Sequence, residues 1–284
     1  MTRMLVSSAA GPNGDGYGAV LEFDARGVIE KPFSDDPRVV DPRGMSADLS
    51  SGLVYVNSGD DRVVALDSNG GVVLDSGRIN GLDPGGGYFG PDGRYYLTLR
   101  KHKNVLALPA SLAPPGSSVL HDDVVPFPRG FGFAHDGGFY LASGIGPSGE
   151  GDNTIVAFNE LGKVDNARLV DDPELSPLDL IVAPSGNVVV SSEWPFGEPG
   201  AATTIREYDP CTGKLVRVLA PDLSVGFAKP RGLRLLGEDR LFWVGREHVV
   251  GFDFTSGRFL GVVAELERLN GQAVVFLPDR SAGH

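Results

Sequence analysis

Six segments of this chain share one pattern, and their spacing limits the fold more than any single motif does. GAVLEFDARGVI, DRVVALDSNGGVVL, NVLALPASLAPPGSSVL, NTIVAFNELGKV, TTIREYDPCTGKLVRVL and HVVGFDFTSGRFLGVV open at Gly18, Asp61, Asn104, Asn153, Thr203 and His248, at intervals of 43, 43, 49, 50 and 45 residues. In each, a short apolar run turns at a polar or Pro-containing stretch and a second run follows, as antiparallel strands do. A period of roughly 40 to 50 residues filled with short strands is the signature of propeller blades rather than of helical solenoids.

Upstream of each third strand lie two more. The innermost follow PRGMSADLS, NGLDPGGGYFGPDG, PRGFGFAHDGG, PLDLIVAPSG, PRGLRLLGED and NGQAVVFLPD, and turns such as PDG, HDGG and PSG lead on into YYLTL, FYLAS and NVVVSS. The lead-in pairs read as Arg43-Gly44, Asn80-Gly81, Arg129-Gly130, Leu178-Asp179, Arg231-Gly232 and Asn270-Gly271, so Asp179 alone replaces the glycine. Each blade is thus a meander of three clear strands and a weaker outer one. GQAVVFLPD near the C-terminus has no second strand after it, while RMLVSS near the N-terminus has no inner one before it. Joined, they complete one blade and remove the open edges of the array. The expectation is an all-β, six-bladed β-propeller forming a single domain over residues 1–284, its last blade closed by strands from both termini.

Composition narrows the partners. With 25 basic and 37 acidic residues the net charge is −12, which disfavours nucleic acid and anionic membrane surfaces. Cys211, in the turn DPCTGK, is the single cysteine, so no disulfide forms within the chain. No apolar run approaches the ~20 residues of a membrane span, and MTRMLVSSAAGPNG is too short in apolar residues for a signal-peptide core. These features fit a cytoplasmic protein.

In a propeller meander the lead-in residues and the loops joining second to third strands share one face, around the mouth of the central channel. Arg43, Arg129 and Arg231 fall in alternate blades and either form a positive funnel for a carboxylate or other small anion, or simply brace neighbouring loops. Among the loops, SSEWPFGEPGAAT supplies Glu193 as a carboxylate beside the aromatic Trp194 and Phe196, a candidate substrate wall. His102 and His248 sit in short loops of opposite blades as candidate general bases, with Arg100 and Glu247 as neighbours. His121, His135 and His284 fall in a connecting loop, a far-face turn and the tail and are set aside. Nucleophile elbows, phosphate-binding loops before a helix, dinucleotide fingerprints and CxxC pairs are missing.

The order PRG, apolar strand, PDG or PSG, second strand, and a third strand ending in FD or YD resembles NHL-repeat propellers and the wider superfamily of gluconolactonase-type and strictosidine-synthase-like enzymes, over nearly the whole chain. Gluconolactonase-type members hold a divalent cation with Glu, Asn and Asp at the channel mouth, which polarises a carbonyl or activates water. By that resemblance Asn80, in Asn80-Gly81-Leu82, with Asp179 and Asn270 would hold Ca, Mg or Zn; the family's Glu-Gly-Pro and Asp-Ser positions read Pro42-Arg43-Gly44 and Leu99-Arg100. The resulting expectation is a lactonase-like hydrolase or lyase. Arg43, Arg129, Arg231 and Trp194 would bind a small anionic or lactone-bearing substrate, and His102, Glu193 or His248 would move the proton. The alternative is a non-catalytic NHL-type propeller presenting its rim to a protein partner or ligand.

Overall fold

In a computed structural model the chain forms six antiparallel four-stranded sheets. The structure describes residues 2–278 apart from 12, 13, 15, 25, 122, 123, 147, 148, 150, 151 and 199; His284 lies outside the described residues. Strands β1 (Thr2–Ser8), β2 (Ala19–Phe23) and β3 (Ile29–Ser34) open the chain. Blade 1 is β4 (Met45–Asp48), β5 (Leu53–Ser58), β6 (Arg62–Leu66) and β7 (Val72–Asp75). Blade 2 is β8 (Pro84–Phe89), β9 (Tyr95–Leu99), β10 (Asn104–Leu108) and a two-residue β11 (Ser117–Ser118). Blade 3 follows as β12 (Pro128–Phe133), β13 (Phe139–Ser143), β14 (Thr154–Phe158) and β15 (Val164–Val170). Blade 4 comprises β16 (Pro177–Val182), β17 (Val188–Trp194), β18 (Ala202–Tyr208) and β19 (Leu215–Leu219), and blade 5 β20 (Leu233–Leu236), β21 (Arg240–Val244), β22 (His248–Asp253) and β23 (Arg258–Glu265). Finally β24 (Gly271–Pro278) returns to pair with β1, giving blade 6 the order β24-β1-β2-β3.

Successive inner strands touch in the order β4, β8, β12, β16, β20, β24 and back to β4, which closes the ring as a six-bladed propeller. Blades stack face to face, so a central strand is buried on both sides and reads as nearly continuous apolar sequence. Alternate residues then serve different interfaces. In β1, Leu5 joins the core shared with blade 1, whereas Met4 and Val6 join the core shared with blade 5. In β17, Val188 and Val190 pack toward blade 3 while Val189 packs toward blade 5. None of the described residues forms a helix long and apolar enough to cross a membrane. Cys211 is exposed.

Where inner strands converge, polar side chains on the second strands latch one blade to the next. Ser7 accepts the Ala273 N–H at 3.0 Å and donates to the Arg43 carbonyl at 2.6 Å; Ser191 accepts the Asp179 N–H at 2.9 Å and donates to the Arg231 carbonyl at 3.0 Å. Asn57 likewise donates to the Gly85 carbonyl at 2.9 Å. Each latch satisfies buried backbone groups and fixes the lead-in residue of the following blade. The glycine after each lead-in arginine has a steric cause. A Cβ at Gly130 would overlap the Leu180 backbone nitrogen, and one at Gly232 would stand 2.9 Å from the Ala273 Cα. Gly130→Ala is therefore expected to cost about 1–3 kcal/mol, because backbone rather than a flexible side chain must yield. A thermal melt indistinguishable from wild type would contradict this packing account.

Candidate functional site

A cavity of about 210 Å³ lies at the channel mouth, and two stacked rings of inner-strand residues line it. The upper ring is Arg43, Gly85, Arg129, Leu178, Arg231 and Gln272; the lower is Gly44, Gly86, Gly130, Asp179, Gly232 and Ala273. Strand register makes these positions equivalent. Pro84 and Gly87 pair with β9 across an irregularity as Pro128 and Phe131 pair with β13, so Gly85-Gly86 answers to Arg129-Gly130. Similarly Ala273 pairs with Ser7 as Asp179 pairs with Ser191, which puts Gln272-Ala273 in the place expected for Asn270-Gly271.

Two expected lead-ins are thus misplaced. Asn80 is exposed five residues before Gly85, in the loop between β7 and β8, and does not line the cavity. Asn270, in left-handed backbone at φ 43°, donates its amide to the Ala9 carbonyl at 2.9 Å. Both motifs contain Asn-Gly, whose turn chemistry imitates a strand lead-in in sequence.

The cavity floor is a buried polar knot. Asp179 occupies the position that is glycine in most blades, and its carboxylate accepts four donors. One oxygen takes the Tyr88 hydroxyl and the Leu180 N–H (2.9 Å); the other takes the Leu233 N–H (2.8 Å) and the Arg234 guanidinium (3.1 Å). Arg234 also donates to the carbonyls of Leu233 (2.6 Å) and Met45 (2.9 Å), and its guanidinium carbon lies 5.0 Å from the Tyr88 ring centroid. This side chain reaches from blade 5 toward blades 1 and 2. Burial, and then the negative Asp179 beside it, push the Tyr88 hydroxyl well above its usual pKa, so the phenol is a donor at neutral pH.

Arginines form the wall. Arg43 donates to Asp83 at 3.0 Å and pairs more loosely with Asp41 at 3.5 Å, while Arg100, at the end of β9, donates to the same Asp83 oxygen at 2.7 Å. A Cβ at Gly85 would collide with the Thr98 hydroxyl at 2.5 Å, and the Arg100 Cγ would lie 3.6 Å from it. Asp83 is held in place because Asp61 accepts the backbone N–H groups of Gly81 (3.1 Å) and Asp83 (2.8 Å). Arg129 donates to the Ile145 carbonyl at 2.7 Å and lies over Phe127 and Phe196, 4.4 and 5.2 Å from their centroids. Arg231 donates to the Pro230 carbonyl at 2.7 Å and makes no ion pair among the described residues. Burial lowers its pKa, opposed by the negative charge of Glu193. Glu193 is itself buried, and its carboxylate makes no hydrogen bond among the described residues.

The remaining candidates lie elsewhere. His102 is exposed, with Nε2 2.6 Å from the Gly81 carbonyl oxygen, a brace for the same loop that carries Asp83. His248 is buried, and its partner is Glu265 on the outer strand at 3.5 Å rather than the adjacent Glu247. Neither histidine lines the cavity, nor do Glu193 and Trp194; the aromatic faces that hold Arg129 belong to Phe127 and Phe196. Asn80, Asp179 and Asn270 do not fit a metal site. One is outside the cavity, one has both oxygens engaged by donors including a guanidinium, and one is turned to Ala9; a wall of guanidinium groups also repels a cation. No group of three or more His, Cys, Asp or Glu among the described residues is placed to hold a metal.

Arg234, Tyr88 and Gln272 are cavity side chains that sequence reasoning missed, and Arg100, read there only as a neighbour of His102 and at the family's Asp-Ser position, lines the cavity as well. The signal for Arg234 was present: in LRLL a charged residue interrupts an apolar inner strand, at a position where a propeller points a side chain into its channel.

No protein-family model matches the chain, and no curated protein sequence matches it either. Solved structures do. A chain in the crystal structure of a nidogen/laminin complex is similar over 98% of this chain and 99% of its own length, with a TM-score of 0.74 and 14% identity. A gluconolactonase from Xanthomonas campestris matches 80% of this chain and 75% of its own, with a TM-score of 0.60 and 19% identity. For virginiamycin B lyase from Staphylococcus aureus the shares are 99% and 89%, the TM-score 0.59 and the identity 9%. At such identities the likeness is one of fold, so the chain is a six-bladed β-propeller whose structural neighbours include lyase and gluconolactonase propellers as well as a chain of a protein–protein complex.

Proposed function

We propose that the channel mouth binds a small anionic metabolite and that the protein acts on it as a hydrolase or lyase. The observation that carries this reading is the arginine wall: Arg43, Arg100, Arg129 and Arg231 around a cavity whose one lining carboxylate among the described residues, Asp179, is already saturated with donors. Such a wall binds ground-state negative charge and stabilises an oxyanion that grows as a carbonyl is attacked or an α-proton is removed. Glu193, a buried carboxylate outside the lining but within electrostatic reach of Arg231, with no hydrogen bond to its carboxylate among the described residues, is the proton acceptor in this scheme. Its reaction needs no step through a metal.

The test is a panel of small carboxylates and lactones, scored for turnover and for thermal stabilisation. Arg231→Gln is expected to abolish stabilisation by the ligands that wild type binds. Glu193→Gln is expected to keep binding and lose about 10²–10⁴-fold in turnover, the usual contribution of a general base. Ligand binding indifferent to Arg43→Gln, Arg129→Gln and Arg231→Gln alike would sink the proposal. A second reading, a protein-binding scaffold, rests on the exposed Leu215, Val216 and Val218 on β19 and Leu260 and Val262 on β23. It predicts partner binding that survives all three arginine changes.

A further inference from the structure

The joints between blades are built alike, and the one between blades 2 and 3 is left open. Glycines of the turns joining third to fourth strands pack on the outer edge of the preceding blade: a Cβ at Gly70 would overlap the Phe33 carbonyl, one at Gly162 the Val119 carbonyl and one at Gly213 the Leu169 carbonyl. Between blades 6 and 1 an arginine completes the seal. Arg3 is buried, pairs with Glu22 of its own blade at 2.6 Å and donates across the joint to the Ser68 carbonyl at 3.1 Å. Arg94 stands in the same register in blade 2, since Tyr95 pairs with Phe89 and Leu108 as Met4 pairs with Phe276 and Phe23. Its guanidinium stays within its own blade, on the Asp92 carboxylate, the Tyr96 hydroxyl (2.7 Å) and, more loosely, the Ser117 hydroxyl (3.3 Å).

A crevice of about 320 Å³ lies in this joint, larger than the cavity at the channel mouth. Its border includes Pro91 and Gly137, in turns that join inner to second strands, so it opens on the face opposite the channel mouth. The floor is aromatic: Tyr96, Phe133 and Phe139, with Phe133 edge-on to Tyr96 at 4.9 Å between centroids. The rim is polar. Asp92 neutralises Arg94, and His121 is exposed at the edge. Glu160, on the blade 3 wall, is a lining carboxylate with no hydrogen bond or ion pair among the described residues. A Cβ at Gly137 would lie 3.8 Å from its Oε2, which sets that carboxylate beside the open turn.

We infer that this crevice is a second ligand site, for a small organic cation: an amidinium or ammonium group carried on a flat aromatic body. A slot between two blades packed face to face admits a flat ring, and the aromatic floor takes its apolar surface from water. Glu160 supplies the opposite charge, and the ring faces attract a cation further. An anion would meet Glu160 with only an already paired Arg94 to offset it. The blade itself shows the same recognition, with the Arg94 guanidinium carbon 5.2 Å from the Tyr96 centroid and the Asp92 carboxylate alongside. The volume falls in the range of small-ligand pockets, about 300–1,000 Å³. This site stands independently of anion binding at the channel mouth.

Ligand-observed nuclear magnetic resonance titration tests it by comparing benzamidine and tyramine with benzamide and benzoate, which keep the shape of benzamidine but are neutral and anionic. The proteins are wild type, Ser118→Trp, Glu160→Gln and Glu238→Gln. Ser118 is exposed and lines the crevice, so tryptophan there fills the space without changing net charge; Glu238 is exposed and outside it, and controls for the loss of one negative charge. Benzamidine is expected to bind wild type about 2- to 5-fold more tightly than benzamide, the range for an exposed ion pair, and to weaken by the same factor in Glu160→Gln. Ser118→Trp is expected to abolish binding of both cations and Glu238→Gln to leave it unchanged. Equal binding of benzamide, or preference for benzoate, would overturn the cationic assignment. Binding of neither cation, or cation binding that survives Ser118→Trp, would overturn the site. Circular dichroism establishes that each variant is folded, and Glu160→Gln, a change at an exposed residue, carries the test if Ser118→Trp is not.

Discussion

Removal of residues 1–8 is expected to abolish cooperative folding, although it deletes under a thirtieth of the chain. Strand β1 is the second strand of blade 6, paired from Thr2 to Ser8 with β24 on one side and from Met4 to Ser8 with β2 on the other. Without it, β24 loses its sheet partner and β2 becomes an open edge. Met4, Leu5 and Val6 are buried, and each contributes about 1.5–3 kcal/mol on burial. The Ser7 latch to Arg43 and Ala273 goes as well, leaving buried backbone groups unpaired. Together these losses approach the ~5–15 kcal/mol that holds a typical domain folded. Far-ultraviolet circular dichroism and a thermal melt of the truncated chain check the prediction. A sharp transition at the wild-type temperature would mean that the ring does not depend on closure through its N-terminal strand.

The largest single-residue effect is expected at Asp179. In Asp179→Ala the Tyr88 hydroxyl, the Leu180 and Leu233 N–H groups and the Arg234 guanidinium lose their acceptor together. Breaking one side of a buried charge pair costs about 3–5 kcal/mol, chiefly because the remaining charge is left in a poor solvent. The double variant Asp179→Ala with Arg234→Met should recover part of that loss, since an apolar pair in the same volume carries no orphaned charge. Chemical denaturation of the two single variants and the double variant gives the coupling. If Asp179→Ala costs less than about 1 kcal/mol, water must replace the carboxylate and the knot is not the floor described above.

How the sequence fared differs from position to position. The three Pro-Arg-Gly lead-ins were legible because proline, arginine and a sterically required glycine recur in register, and the structure brings Arg43, Arg129 and Arg231 to one cavity. Asn80-Gly81 and Asn270-Gly271 misled because a turn in a connecting loop uses the same residue types as a strand lead-in. The aligned residues, Gly85 and Gln272, emerged only from pairing with β9 and β1. Glu193 keeps a place beside the cavity by its electrostatic reach to Arg231, whereas His102 and His248 are each claimed by neighbours that are remote in sequence, Gly81 and Glu265.

By itself the sequence determined the repeat, and with it the six blades, the closure by both termini and the face on which the lead-in arginines lie. Strand periodicity and turn chemistry are local properties, written in neighbouring residues and repeated often enough to be read. Tertiary structure alone decided which side chains meet across the channel. Arg234 reaches Asp179, Met45 and Gly87, residues 55, 189 and 147 positions away, and Arg100 shares the Asp83 carboxylate with Arg43. Such meetings depend on the rotation of one blade against the next and on the reach of a long flexible side chain. Neither leaves a periodic trace in the chain, so the charge pattern of the cavity became visible only when the ring was closed.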